Sequence, residues 1–146
     1  MKKILLILVA IFSVGIFVAS ADNDKLINKS QLPATVQQFI DAHFAGVNLT
    51  YAKEECNIFF CSYEVKLADG TKLEFSSKGA WEEVDCRFGE VPSAIIPVAI
   101  KEYIDKNFAG EKVLMIEKDR NNYEVKLSNR LELKFDKDFN IYDIDD

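Results

Sequence analysis

Histidine is almost absent from this sequence: His43 is the only one in 146 residues. A Ser-His-Asp or Cys-His set needs an imidazole beside its nucleophile, so most hydrolytic chemistry of that kind is left without a base. His43 falls on the polar side of an apolar-striped helix, beside Phe44, where a surface role suffices. Cysteine is scarce too, with only Cys56, Cys61 and Cys86. A Cys-x4-Cys pair with one distant third cysteine is neither a zinc-ligand nor a redox spacing. Three prolines and six glycines are too few for a linker-like or collagen-like chain. Positive charge is in deficit: 18 Lys+Arg against 24 Asp+Glu leave a net charge of −6. Such a surface repels phosphate backbones, which argues against nucleic acid as a partner. Long apolar runs are missing as well. Ile4–Val18, about 15 residues, falls short of the roughly 18–20 that span a bilayer.

That short run has a different use. Lys2 and Lys3 precede it and the small residues Ala19-Ser20-Ala21 follow it. Basic start, apolar middle and small-x-small end together read as a secretory signal peptide over residues 1–21, cleaved after Ala21. Residues 22–31 read as an N-terminal linker, and 32–146 as a single domain with no membrane span.

The pentapeptide YEVKL occurs at Tyr63–Leu67 and again at Tyr123–Leu127. The match extends both ways. Leu73 meets Leu133, Phe75 meets Phe135, and Val84 meets Ile144. Upstream, Leu32-Pro33 meets Ile96-Pro97, and FIDAHFAG at 39–46 meets YIDKNFAG at 103–110. Two tandem units result, 32–85 and 96–145. A period near 60 is too long for a solenoid repeat and suits one pseudo-symmetric domain.

Each unit opens with a helix. Val36, Phe39, Ile40 and Phe44 form one apolar stripe, as do Ile100, Tyr103, Ile104 and Phe108. Pro33 and Pro97 suit the helix starts, and Gly46 and Gly110 the left-handed position after the ends. The period then changes to two: Tyr63, Val65 and Leu67 alternate with Glu64 and Lys66, and Asp69-Gly70 marks a hairpin. Four strands per unit follow. The expected fold is α+β, a tandem repeat of a helix plus a four-stranded antiparallel meander. About eight strands carry two helices on one face, and the other face is solvated and rich in Glu and Lys. The last strand of each unit breaks alternation, because Trp81 and Val84, like Ile141 and Ile144, are three apart. Either a bulge intervenes or Trp81 and Ile141 lie on the far face. Trp81 is thus a candidate for core packing or for partner contact.

The pattern Leu-Pro…Phe-Ile-Asp…Phe-x-Gly followed by YEVKLADGTKLEFSSKGAW resembles the PepSY-like, beta-lactamase-inhibitor-like periplasmic proteins of Bacteroides and relatives. The resemblance covers both units. It implies the fold just described, a periplasmic location, and an inhibitory or protein-binding role. One position departs from it: Phe139 stands where the first unit has the turn residue Gly79, which puts the last turn of the second unit in question.

The first unit holds four extra residues, Asn57-Ile58-Phe59-Phe60, between Cys56 and Cys61. In an oxidising compartment the two cysteines read as a disulfide across the neck of a lengthened hairpin. The tip, Ile58, Phe59 and Phe60, is either a preorganised hydrophobic knob for a partner or a loop folded back onto the core. Cys86 is left as a buried free thiol or an alternative disulfide partner. Asp136–Asn140 superficially resembles the start of a calcium loop, but Ile141 stands where such a loop needs Gly, and a β-turn accounts for it better. The acidic end, Asp143, Asp145 and Asp146, is a solvated terminus or a cation site. The expected function is a non-enzymatic module, exported to the periplasm or secreted, that binds an envelope or secreted protein, either inhibiting it or simply binding it, with no cofactor. The alternative is a sensor or carrier of a small ligand or cation at the acidic end.

Overall fold

A computed structural model describes residues 23–146; the signal peptide read over 1–21 lies outside the described residues. One nine-stranded antiparallel sheet runs in strict chain order. Its strands are β1 (Asn23–Ile27), β2 (Leu49–Cys56), β3 (Cys61–Leu67), β4 (Lys72–Phe75), β5 (Trp81–Asp85), β6 (Val113–Lys118), β7 (Asn122–Leu127), β8 (Glu132–Asp136) and β9 (Ile141–Asp145). Helix α1 (Ala34–His43) lies between β1 and β2 in the chain, and α2 (Val98–Asn107) between β5 and β6. Helix plus four strands therefore occurs twice. The extra strand is β1, inside the segment read as a linker; it pairs with β2 through Lys25↔Glu54 and Ile27↔Ala52. Only Ile27 of its five residues is even partly buried, so it carries no hydrophobic alternation that a sequence could reveal.

The core is a continuous row of directly paired residues crossing the whole sheet. Ile27, Ala52, Val65, Leu73, Val84, Ile116, Val125, Leu133 and Ile144 follow one another in register. All but the two outermost are buried. Val36 and Ile40 of α1 and Ile100 and Ile104 of α2 complete this core. The two helices pack alike: Phe39 meets Phe75 edge-on at 5.4 Å, and Tyr103 meets Phe135 edge-on at 5.5 Å. Burying one such aliphatic side chain stabilises the fold by about 1.5–3 kcal/mol. Ile100→Ala, which also opens a cavity, costs about 2–5 kcal/mol.

Bulges explain the broken alternation of the last strands. Leu73 faces Val84 and Glu74 faces Glu83, but Phe75 faces Trp81, so Glu82 is the extra residue. Tyr142 is extra in the same way, with Lys134 facing Asp143 and Phe135 facing Ile141. Two more bulges, at Thr50 and Leu114, match across the units. A bulge returns the next side chain to the same face, which is why a three-residue step joins two core-facing positions. The turn at Phe139 forms despite the missing glycine. Phe139 takes φ 66 where Gly79 takes φ 78, and its ring packs on Tyr123 at 5.3 Å. A Cβ at Gly79 would collide with the Thr35 hydroxyl; the residue matching Thr35 in the second unit is Ala99, which has none.

Candidate functional site: the hairpin tip and the open sheet face

The β2–β3 hairpin ends in Asn57–Phe60. Cys56 and Cys61 are direct cross-strand partners with Cα atoms 4.0 Å apart, and a disulfide joins them. Above the bridge, the Asn57 amide donates to the Phe60 carbonyl at 3.0 Å. The Asn57 side-chain oxygen accepts from the backbone amides of Phe59 (2.8 Å) and Phe60 (2.9 Å). Three constraints thus fix a four-residue loop. Its apolar side chains do not fold back: Ile58 is 93% exposed, Phe59 87%, and Phe60 is also exposed. Glu54 lies beside the two cysteines, but their sulfurs are bonded to each other and offer no thiolate to a metal.

Trp81 stands apart from this tip. It pairs with Phe75, which pairs with Tyr63, so it lies at the same end of the sheet, two strands away. It is half-buried against the core margin, with the Lys118 ammonium 4.7 Å from the ring centroid, a cation–π geometry. Together with Glu74, Glu83, Glu117 and Arg120 it lines a cleft where β5 and β6 part.

The helix-free face carries a charge pattern that sequence reading missed. Glu64, Glu74, Glu83, Glu117 and Glu124 are successive cross-strand partners on β3 to β7. Adjacent strands are about 4.8 Å apart, so the five carboxylates form a row across the sheet. Lys53 begins the row and Lys134 and Asp143 end it. Lys53 reaches Glu64 at 3.6 Å and Glu55 at 2.7 Å, and Lys72 reaches both Glu74 and Glu83 at 2.9 Å. Tyr51 donates its hydroxyl to Glu64 at 2.6 Å. Among the described residues, Glu117 and Glu124 have no ion-pair partner. Partial burial and the Glu83 and Glu74 charges raise the Glu117 carboxyl. A hydrogen bond to Glu132, with burial and the neighbouring negative charges, pushes Glu124 up to about 7, while Glu132 moves down as the acceptor.

Family relationships agree with this geometry. A family profile described as "Putative beta-lactamase-inhibitor-like, PepSY-like" matches residues 61–143. The chain belongs to the PepSY-like family. Three solved relatives share its fold. A protein of Bacteroides thetaiotaomicron, described as a "putative calcium-regulated periplasmic protein", is 52% identical with a TM-score of 0.82, over 84% of this chain and 97% of its own. A periplasmic protein of the DUF2874 family from Bacteroides vulgatus is 49% identical with a TM-score of 0.84, covering 86% and 99%. Another B. vulgatus periplasmic protein, of unknown function, is 41% identical with a TM-score of 0.79, covering 84% and 99%. No curated protein matches the chain.

The remaining candidates of this PepSY-like chain have structural partners. Asp143 and Asp145 both reach the Lys134 ammonium, at 3.2 and 2.5 Å. Asp136 accepts from the amides of Asp138 and Asn140, both at 2.9 Å, inside the β8–β9 turn. The Asn140 amide is the main cause that holds this carboxyl below its usual range. Cys86 is a buried free thiol that accepts from the Thr71 hydroxyl at 3.8 Å, and burial pushes its pKa up. His43 packs its ring on Phe39 at 4.7 Å. Among the described residues no helix is long and apolar enough to cross a membrane.

Proposed function

We propose that this chain is an exported periplasmic module, without catalysis of its own, that binds and inhibits another protein of the envelope. The open sheet face supplies the footprint, Ile58, Phe59 and Phe60 the anchor, and Trp81 a contact at the rim. One observation carries this: Ile58 and Phe59 stand 93% and 87% exposed on a loop closed by a disulfide and pinned by Asn57. Water offers such side chains nothing, whereas burial in a partner returns about 1.5–3 kcal/mol each. The loop is already ordered, so little conformational entropy opposes the union. The beta-lactamase-inhibitor-like description of the family supports inhibition as its outcome. Capture from a native envelope extract, with wild type and Phe59→Ala/Phe60→Ala baits compared by mass spectrometry, tests it. A partner should be recovered roughly tenfold less by the variant, as for central interface anchors. Equal recovery with both baits overturns the anchor.

A second reading, calcium sensing, draws on the relative described as calcium-regulated and on the uncompensated Glu117 and Glu124. It moves the cation from the acidic end, where Lys134 already holds Asp143 and Asp145, to the glutamate row. Calcium should then raise the melting temperature of the wild type and leave Glu117→Gln/Glu124→Gln unmoved. No calcium shift in the wild type removes this reading.

A further inference from the structure

The repeated architecture shows what belongs on an edge that is bare in this structure. In the first unit the outer side of β5 is covered by β6, with Glu83 opposite Glu117, Val84 opposite Ile116 and Asp85 opposite Met115. In the second unit β9 takes the place of β5: Leu133 faces Ile144 as Leu73 faces Val84, and the bulges match. Among the described residues no strand covers the outer side of β9. The consequence is visible in one pair of equivalent residues. Val84 is fully buried, while Ile144 is 46% exposed, with Tyr142 exposed beside it. β2, the counterpart of β6, already has a strand on its outer side: β1 sets Ile27 against Ala52 as Val84 is set against Ile116. Among the described residues, the outer side of β9 is the place in the repeat where the adjoining strand is missing.

We propose that β9 is a β-augmentation site for an extended segment of another protein, with an aliphatic residue flanked on both sides by Lys or Arg. An edge strand offers a row of unpaired amides and carbonyls, so the backbone supplies the affinity and alternate side chains the selectivity. The aliphatic residue lies opposite Ile144 and completes the buried row. The basic residues lie opposite Asp143 and Asp145, where one Lys134 ammonium meets two carboxylates and leaves negative charge unbalanced. A second copy of the chain is a poor occupant. Antiparallel β9 strands centred on Asp143 oppose it to itself, and centred on Ile144 they oppose Asp143 to Asp145; like charges directly opposite destabilise a sheet. The site is separate from the hairpin tip and does not depend on it, because the tip joins β2 to β3 and six strand positions divide β3 from β9.

The test uses a labelled peptide of sequence Val113–Lys118 carrying Met115→Lys and Glu117→Lys, which sets lysines against Asp145 and Asp143 and Ile116 against Ile144. Fluorescence anisotropy should show saturable binding to the protein, and amide exchange in β9 should slow. Binding should weaken at least tenfold with the unaltered peptide, with Asp143→Asn/Asp145→Asn, and with Ile144→Ser. Phe59→Ala/Phe60→Ala should leave it unchanged, so failure here and failure of the tip as an anchor are read separately. No saturable binding overturns the proposal. So does binding indifferent to Ile144 and the two aspartates, or slowed exchange outside β9. Self-association that protects β9 would show the occupant to be a second copy.

Discussion

Glu83 and Glu117 lie directly opposite each other where the two repeats meet, at the centre of the five-carboxylate row. Like charges in direct cross-strand register oppose sheet formation, and among the described residues Glu117 has no ion-pair partner. Glu117→Lys should therefore stabilise the fold by roughly 0.2–1 kcal/mol, the range of such pairs. Urea denaturation at low salt checks this. The gain should shrink near 1 M salt, where screening acts over about 3 Å. A loss of stability would show that the row is held by something other than its protein neighbours.

Glu124 makes stability pH-dependent with a definite sign. Its carboxyl is raised from 4.5 to about 7 in the fold, first by its hydrogen bond with Glu132. Between those values the folded chain keeps a proton that the unfolded chain has released. Stability therefore falls as pH rises through that window. The melting temperature should be higher at pH 5.5 than at pH 8, and Glu124→Gln should remove most of the difference. Scanning fluorimetry at constant ionic strength measures both. More acid conditions reverse the trend as Asp136, held low chiefly by the Asn140 amide, takes up its proton.

Gly79 and Phe139 occupy equivalent left-handed turn positions under different constraints. Gly79→Ala should cost at least about 1–2 kcal/mol from backbone strain, and more because the new Cβ meets the Thr35 hydroxyl. Thr35→Ala should relieve that second part, a coupling that a double-mutant cycle reads directly. Phe139→Gly relaxes the backbone but removes the ring packed on Tyr123, so its net effect should be smaller. Additive costs for Thr35 and Gly79 would refute the collision.

The disulfide should matter locally more than globally. Closing so short a loop is worth about 2 kcal/mol in the chain-entropy account. Cys56→Ser/Cys61→Ser should leave the sheet folded, lower the denaturation midpoint accordingly, and speed amide exchange at 59 and 60. Asn57→Ala, which removes two acceptor contacts, should speed the same amides with the disulfide intact.

Much of the fold could be read from residues whose period repeats. Val36 and Ile40, Ile100 and Ile104, and Val65 and Leu67 are buried as their spacing requires, with Tyr63 partly buried against the same core. β1 could not be read, because its residues are nearly all exposed and its place is set by pairing with β2. The tip was legible as an insertion between two cysteines but not as an exposed knob. Whether Phe59 points to solvent depends on the Asn57 contacts and on the β2–β3 register, neither of which spacing encodes. The glutamate row was hidden for a related reason. Its members are separated by between 7 and 34 residues in the chain, and only the cross-strand register aligns them. Trp81 stayed ambiguous because a bulge sits beside it.

The strict chain order of the strands has a consequence for how this molecule is assembled. Each strand pairs with the one before it in sequence; six of the eight pairings close a short turn and two, β1–β2 and β5–β6, close over a helix, so contact order stays low for a protein built mostly of β-structure. Low contact order goes with fast folding. A chain delivered N-terminus first can lay each new strand onto one already in place, with no early segment waiting for a late one. Among the described residues the outer side of β1 stays open throughout, and at the growing side the open edge is always the newest strand, which in the finished molecule is β9.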